Sequence, residues 1–412
     1  MNKKLFVLIC SLLWYVLAMA QPIDILIKGG RVIDPKNHLD GVMDIGIKDG
    51  KISRVAANIP ASEAFRVVDA TGKLVVPGLI DIHGHHFFGT EENRYLRNSF
   101  TALPPDGFTF RAGVTTVVDA GSPGWRNFDT YKAQTIDHSQ TRVLAFLNIV
   151  GAGMAGGPIE QDLLDMDPRL TAMEAKANSK YIVGIKLAHF SGHNWEPAMK
   201  AAQAGRDAGI PVMIDFGGAT PTLPLDSLLL DVLRPGDIMT HCFAHVSGRD
   251  AIVDDQRKLR DCVWEAQKKG IIFDVGHGGG SFLWDQAVPA FEQGFHPNTI
   301  STDLHTGSMN GGMKDMTNVM SKMLVLGMSL PDVIEASTWK PAQVIQRPEL
   351  GNLDVGAEAD IAILSVEKGN FGYVDTKGWK YPGKEKLVAE VTFRAGKIVW
   401  DLNGMSSPTW EK

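Results

Sequence analysis

Short apolar runs alternate with amphipathic stretches through the central part of the chain. Patterns of helical period separate several of these runs, most clearly at Asn194–Ala208, Val253–Lys269 and Trp284–Gln293. Strands that alternate with helices at a spacing of about thirty residues are typical of parallel βα units. Eight such units predict an α/β fold, a (β/α)₈ barrel of the TIM type. The predicted strands are Gly78–His85, Val114–Ala120, Val143–Ile149, Ile182–Ala188, Pro211–Phe216, Asp237–Phe243, Ile271–His277 and Thr299–His305.

Both ends of the chain show a different pattern, in which short strands follow one another across glycine turns typical of hairpins. We expect these ends to form one small β-sandwich from residues 21–76 and 347–412, with the barrel, 77–346, inserted between them. The predicted elements are Asp24–Val32 folded over Gly29-Gly30, Val42–Val55 folded over Asp49-Gly50, the strand Ala359–Val366, and Leu387–Trp400 folded about Ala395-Gly396.

The first twenty residues have the pattern of an export signal. Lys3 and Lys4 precede an apolar run, Leu5–Leu17, and Ala18-Met19-Ala20 supplies the small residues of a cleavage site. The alternative is a membrane anchor, but the run is short for a bilayer span. We expect residues 1–20 to be removed, and the mature protein to be secreted to the periplasm with no membrane attachment.

Composition narrows the class of partner. The net charge of -6 and the absence of a basic run with interleaved aromatics argue against nucleic-acid binding. After signal removal two cysteines remain, Cys242 and Cys262, and buried free thiols are expected, with a disulfide between them as the alternative. A small-molecule substrate is expected, and the sequence leaves a homo-oligomer open.

Polar residues that can bind a metal follow the C-terminal end of every predicted strand. In a (β/α)₈ barrel these ends lie on the face that carries the chemistry. Because side chains alternate along a strand, His83 and His85 should leave on the same side and converge. Taken alone, this pair is equally compatible with core or solvated histidines. The strand-end residues are His83, His85, Asp119, Asn148, Lys186, Asp215, His241, His277, Asp303 and His305.

Five of these strand ends carry motifs that resemble the amidohydrolase superfamily, and within it the dihydroorotase-like deacetylases. The motifs are PGLIDIHGHH, GIKLAHFSG, GDIMTHCFAH, DVGHGGGSF and ISTDLHTGSMNGGMKDM. The resemblance implies a metal-dependent hydrolase on a barrel with a split β-sandwich. It also implies that His83, His85 and Asp303 hold one metal ion, that Lys186 bridges two ions as a carbamate, and that His241 completes the second site. The alternatives are a structural lysine paired with an acid and a core histidine.

The fifth strand departs from that resemblance, because Asp215 stands where the deacetylases have a histidine. A carboxylate is an acceptable zinc ligand, so Asp215 remains a predicted ligand. The extra negative charge would make the metals weaker Lewis acids and would favour Mn²⁺ alongside Zn²⁺. The alternative is a single working metal, with the second site weak or empty.

The resemblance implies hydrolysis of an acyl C–N or C–O bond, as in N-acyl amino acids. Asp303 is the predicted general base, taking a proton from the metal-activated water and returning it to the leaving group. His277 and Gly279, in a glycine-rich loop, are predicted to bind a carboxylate of the substrate. The alternatives are a cyclic amidase of the dihydroorotase or hydantoinase kind, and a non-catalytic barrel that binds a ligand.

Overall fold

The computed structural model describes residues 23–89 and 101–410. The predicted signal segment, residues 1–20, lies outside these ranges. Within them, no helix is both long and apolar enough to cross a bilayer.

Two sheets organise the described chain, one from its ends and one from its centre. The strands are β1 (Ile23–Asp34), β2 (Leu39–Lys48), β3 (Lys51–Ala56), β4 (Ala64–Asp69), β5 (Leu74–Pro77), β6 (Leu79–Gly84), β7 (Val114–Gly124), β8 (Arg142–Asn148), β9 (Ile182–Ala188), β10 (Val212–Asp215), β11 (Ile238–Met239), β12 (Ile272–Phe273), β13 (Ile361–Val374), β14 (Lys380–Arg394) and β15 (Lys397–Asp401). The α-helices are α1 (Phe128–Gln134), α2 (Pro168–Ala177), α3 (Glu196–Ala208), α4 (Asp261–Lys269), α5 (Trp284–Glu292), α6 (Thr306–Asn310), α7 (Met316–Val325), α8 (Leu330–Glu335) and α9 (Trp339–Val344).

The two ends of the chain meet in one sheet of order β15-β14-β13-β5-β1-β2-β3, with β4 paired to β1. The N-terminal and C-terminal parts are joined where β5 pairs antiparallel with β13. The backbone N–H of Ala359, just before β13, donates at 2.9 Å to the carbonyl of Gly50, in the turn between β2 and β3. The sheet therefore bends back on itself. The predicted association of the ends is therefore present, while a separate β-sandwich domain stays a prediction.

One predicted turn is wrong. The segment around Gly29-Gly30 does not fold into a hairpin, because β1 runs through it as a single strand with a shift in its register to β2. Gly29 has a φ of +73°, and a side chain on Gly30 would collide with Val75. The two glycines thus serve a β-bulge and a close packing contact. The hairpins at Asp49-Gly50 and Ala395-Gly396 are present, as β2 with β3 and β14 with β15.

The central strands form a parallel sheet of order β12-β11-β10-β9-β8-β7-β6. Its two edges approach the same segment, residues 299–304. Thr299 makes a parallel bridge to Asp274 beyond β12, and Leu304 makes one to Gly84 at the end of β6. The sheet is therefore curled and consistent with a TIM-like barrel, with residues 299–304 in the position of the eighth predicted strand.

Apolar side chains fill the interior of the curled sheet below its C-terminal end. Ile82, Phe146 and Met213 lie in one buried cluster with Val344 and Ile345 at the end of α9. The interior is a packed core rather than a channel, as in TIM barrels generally. Polar chemistry is consequently confined to the other end, where the strands stop.

Some elements are shorter than predicted. β11 and β12 are two residues each, whereas longer strands were expected, and residues of positive φ follow them at His241 (φ +57°) and Gly276 (φ +45°). The helix expected at Val253–Lys269 begins only at Asp261. The other two predicted helices lie close to their expected bounds, as α3 and α5.

Candidate metal centre

A cavity of about 310 Å³ opens at the C-terminal ends of the parallel strands. Every residue predicted as a metal ligand lines it, and so does Gly279. The strand periodicity places these side chains together, although they come from distant parts of the sequence. The lining residues are His83, His85, Met154, Lys186, His189, Asp215, Phe216, Gly217, His241, Val246, Arg249, Gly279, Gly280, Ser281, Asp303 and His305.

The two histidines of the β6 motif are held through their Nδ1 atoms. Nδ1 of His83 lies 2.9 Å from the hydroxyl of Thr240, which itself donates to Asp274 at 2.8 Å. Nδ1 of His85 lies 2.9 Å from the hydroxyl of Ser122. The Thr240 hydroxyl must accept from His83, so Nε2 of His83 is left with a free lone pair. Bonds of this kind orient metal-binding imidazoles.

Burial also sets the charge state of His83. It lowers the pKa of this imidazole to about 3, so the ring is neutral near pH 7. The neutral ring is the form that binds metal ions.

Asp303 carries a buried oxygen that lacks a hydrogen-bond partner. Its Oδ1 lies 2.9 Å from Nε2 of His85 and 3.6 Å from Nε2 of His83, yet it accepts no hydrogen bond from a described residue. Ligand atoms of His83, His241 and Asp303 all lie within 4.8 Å of one another. Because a buried carboxylate oxygen without a partner is costly, this donor set fits a bound cation. The backbone of Asp303 is held at a φ of +53°.

Lys186 is completely buried at the end of β9. Its Nζ lies 3.2 Å from Nε2 of His83 and 3.6 Å from the sulfur of Met213. Burial lowers the pKa of its ammonium group. Within the described part of the chain, no carboxylate lies at ion-pairing distance from Nζ, so the alternative of a lysine paired with an acid has no support. The neutral amine is the form that reacts with carbon dioxide.

His241 approaches the same point from the end of β11. Its Nδ1 donates to the carbonyl of Gly276 at 2.5 Å, which leaves Nε2 free. That Nε2 lies 3.1 Å from Oδ2 of Asp215, and the rings of His83 and His241 are 4.9 Å apart. The neighbouring Cys242 is packed in the outer apolar layer. Cys242 and Cys262 are both free thiols and form no disulfide; Cys242 is buried as predicted, whereas Cys262 is only partly buried.

Asp215 has two cationic neighbours that its local sequence does not indicate. Nη1 of Arg249 donates to its Oδ1 at 3.1 Å, and Nε2 of His189 lies 3.4 Å from its Oδ2. Nδ1 of His189 lies 2.9 Å from the buried carboxylate of Glu160. Burial acts to lower the pKa of His189, but Asp215 and Glu160 together raise it to about 10. The carboxylate of Asp215 is thus flanked by positive charge.

The structure does not bring His277 into the cavity with the other predicted residues. Its Nε2 lies 2.6 Å from the buried ammonium of Lys322, and its Nδ1 lies 3.0 Å from the carbonyl of Gly278. The ring stacks on Phe282 with the centroids 4.6 Å apart. Both ring nitrogens are therefore engaged behind the loop, and of the two predicted substrate-binding residues only Gly279 faces the cavity.

His305 lies across the cavity mouth from His85, with ring centroids 6.2 Å apart. Its Nδ1 accepts a hydrogen bond from the backbone of Gly307 at 3.1 Å, so in the neutral ring Nε2 carries the proton. That Nε2 lies 4.0 Å from Oδ2 of Asp303. The sequence predicts His305 as a strand-end residue without a specific role, because position alone does not distinguish a ligand from a donor.

Comparisons with known proteins agree with this geometry. Residues 284–399 match the profile described as the amidohydrolase family. A deacetylase of Brucella anthropi is 34% identical over 349 residues, which cover 83% of this chain and 84% of the relative. A deacetylase of Enterococcus faecalis is 30% identical over 384 residues, covering 91% and 98% of the two chains. A solved structure described as a dihydroorotase aligns with a TM-score of 0.80 and 30% identity, covering 92% of this chain and 99% of that one.

The chain therefore belongs to the amidohydrolase family, whose members typically bind divalent metal ions. This confirms the predicted family. The similarity to deacetylases and to a dihydroorotase identifies the protein as a hydrolase that acts on carbon–nitrogen bonds.

Proposed function

We propose that this protein is a metal-dependent deacylase that releases the acyl group of a small, carboxylate-bearing substrate such as an N-acyl amino acid. The observation that carries the proposal is the convergence of three ligand-competent side chains, His83, His241 and Asp303, within 4.8 Å. The deacetylase relatives support the acyl transfer chemistry. An ester, which has a C–O acyl bond, is a second type of substrate for the same chemistry.

We assign His83, His85 and Asp303 to one divalent ion, and Asp215 and His241 to a second. Lys186, as a carbamate, would contact both. Zn²⁺ is the proposed ion and Mn²⁺ the alternative, since imidazole and carboxylate ligands accept either. When bound, such an ion lowers the pKa of a water molecule and polarises an acyl carbonyl.

Asp303 is the group that we assign to move the proton in this reaction. Oδ1, the buried oxygen without a hydrogen-bond partner among the described residues, is the one assigned to the ion, so Oδ2 is the oxygen left to take a proton from water. The same oxygen then returns that proton to the leaving nitrogen. Nε2–H of His305, 4.0 Å from Oδ2, is a donor that lines the same cavity.

The glycine-rich loop supplies a site for the substrate carboxylate. Gly279 and Gly280 are exposed to the cavity, and their backbone N–H groups donate to no other described residue. Free N–H groups that face a cavity favour an anion. Met154, Phe216 and Val246 provide an apolar wall for the remainder of the substrate.

Metal analysis combined with a substrate panel tests the proposal. The purified mature protein should contain one or two equivalents of zinc or manganese and should hydrolyse at least one member of a panel of N-acyl-D- and N-acyl-L-amino acids. Esters of the corresponding hydroxy acids test the C–O alternative. A protein that binds no divalent ion, or that hydrolyses none of these compounds, would contradict it.

The second candidate is a cyclic amidase, favoured by the likeness to a dihydroorotase structure at 30% identity. Dihydroorotate and substituted hydantoins, measured in the same assay, separate the two functions. Ring opening at a higher kcat/KM than acyl release would assign the second candidate.

The segment Lys3–Ala20 supports an exported protein. We propose that the mature enzyme begins at Gln21 and works in the periplasm. Fractionation of expressing cells with N-terminal sequencing tests both statements, and a cytoplasmic protein that retains Met1 would contradict them. Size-exclusion chromatography with light scattering determines whether the enzyme is a homo-oligomer.

A further inference from the structure

The cavity contains a buried arginine that the proposed reaction does not use. Arg249 lies in the loop after β11 and is 7% exposed. Its Nη1 donates to the carbonyl of Phe216 at 3.3 Å, and the guanidinium lies 4.6 Å over the ring of the same residue. A buried cation requires a countercharge, and among the described residues Asp215 is the carboxylate that pairs with it.

The two oxygens of Asp215 face different partners. Oδ1 accepts from Nη1 of Arg249 at 3.1 Å. Oδ2 lies 3.1 Å from Nε2 of His241, one of the proposed ligands. The carboxylate is therefore shared between a fixed cation and the position proposed for a metal ion.

We infer that Arg249 is the countercharge of Asp215 and sets how tightly the centre holds its metal. This inference rests on the proposed function, because it takes Asp215 as a ligand. The carbamate of Lys186, Asp215 and Asp303 carry three negative charges. His189, the other neighbour of Asp215, pairs with the buried carboxylate of Glu160 at 2.9 Å, so the guanidinium, which stays protonated, is the cation that offsets one of the three. The centre consequently holds zinc less tightly, and the zinc is a stronger Lewis acid, than the same ligands would give without the arginine.

A matched pair of variants separates this charge effect from a packing role. Arg249→Met removes the charge and keeps much of the bulk, while Arg249→Lys keeps the charge. Zinc affinity is measured by competition with a chromogenic chelator. Arg249→Met should bind zinc tighter by about tenfold or more, since a unit charge at this range is only partly screened. Its kcat should fall, and Arg249→Lys should keep the zinc affinity of the wild type.

A packing role predicts a different combination. Loss of packing in Arg249→Met would loosen zinc and lower kcat together. A lower zinc affinity in Arg249→Met than in Arg249→Lys would therefore overturn the inference.

A second pair tests the partnership with Asp215. Asp215→His keeps a metal-binding side chain but leaves Arg249 without its countercharge, so zinc should bind about tenfold or more weakly. The double variant Asp215→His with Arg249→Met should regain wild-type affinity. A double variant that binds zinc no better than Asp215→His would overturn the inference.

Two controls assign any failure. Urea unfolding of the metal-free proteins identifies a variant that does not fold. If that variant carries Asp215→His, the Arg249→Met and Arg249→Lys pair decides alone. Wild-type protein that binds no zinc would overturn both the proposed function and this inference. Stoichiometric zinc in the wild type, with the affinities out of the stated order, would overturn the inference alone.

Discussion

Gly121 offers a direct test of the position of Lys186. This glycine lies within β7 at a φ of +90°, beside the buried stem of Lys186. A Cβ added there would lie 2.5 Å from Cγ and 2.6 Å from Cβ of the lysine. Gly121→Ala should therefore displace Lys186 from the centre, although none of the proposed ligands is substituted.

Two costs add in this variant. A side chain at a left-handed φ costs about 1–2 kcal/mol, and overpacking of a tight core costs about 1–3 kcal/mol. Gly121→Ala should thus lower the free energy of unfolding by about 2–5 kcal/mol. Gly72→Ala is the matched control, because Gly72 has a φ of +75° and a Cβ there would contact nothing within 4 Å. The control should lose only the cost of the left-handed φ, about 1–2 kcal/mol of unfolding free energy.

Urea unfolding of the metal-free proteins measures both free energies, and metal analysis with kcat measures the centre. Gly121→Ala should contain less zinc than the wild type and should turn over more slowly, while Gly72→Ala should match the wild type in both. The reasoning is refuted if Gly121→Ala is no less stable than Gly72→Ala, or if it keeps full zinc content and kcat.

Two further predictions concern the proton and the carbamate. Asp303→Asn keeps one oxygen as a ligand but cannot take a proton, so kcat should fall by about 10²–10⁴-fold. The zinc content of this variant should be retained, and unchanged kcat would remove Asp303 from its role. Metal-free protein should regain activity with zinc only when bicarbonate is present, because the carbamate of Lys186 needs carbon dioxide; equal recovery in carbon-dioxide-free buffer would contradict a carbamate.

Much of the site was predictable because strand geometry is periodic. The C-terminal ends of parallel strands meet at one edge, so His83, Lys186 and Asp303 line the same cavity despite their distance in sequence. The side-chain direction was also predictable where a strand is regular. Lys186 points inward between the outward-packed Ile185 and Leu187. The assigned roles of these residues stay predictions until the metal is measured.

What escaped prediction depends on partners from other elements. Nothing near His277 in the sequence indicates that Lys322, from α7, would occupy its Nε2. The Gly29-Gly30 pair suits a hairpin, but β1 continues through it with a shift of register, and the missing side chain of Gly30 leaves room for Val75 of β5. Local pattern specifies which conformations a segment tolerates, but packing between distant elements selects among them.

The charge of the centre also depends on a partner from another element, which the ligands alone do not reveal. From the ligands alone, Asp215 makes the site one unit more negative than a histidine would, which implies weaker Lewis acidity. The structure adds Arg249 at 3.1 Å from that carboxylate, in a cavity where neither group is well solvated. Because the guanidinium offsets part of the field of the carboxylate at a nearby cation, Asp215 paired with Arg249 acts as a less negative ligand than Asp215 alone. The electrostatic character of such a centre is therefore set by its ligands and their partners jointly, and a substitution at 215 has to be judged with residue 249 in view.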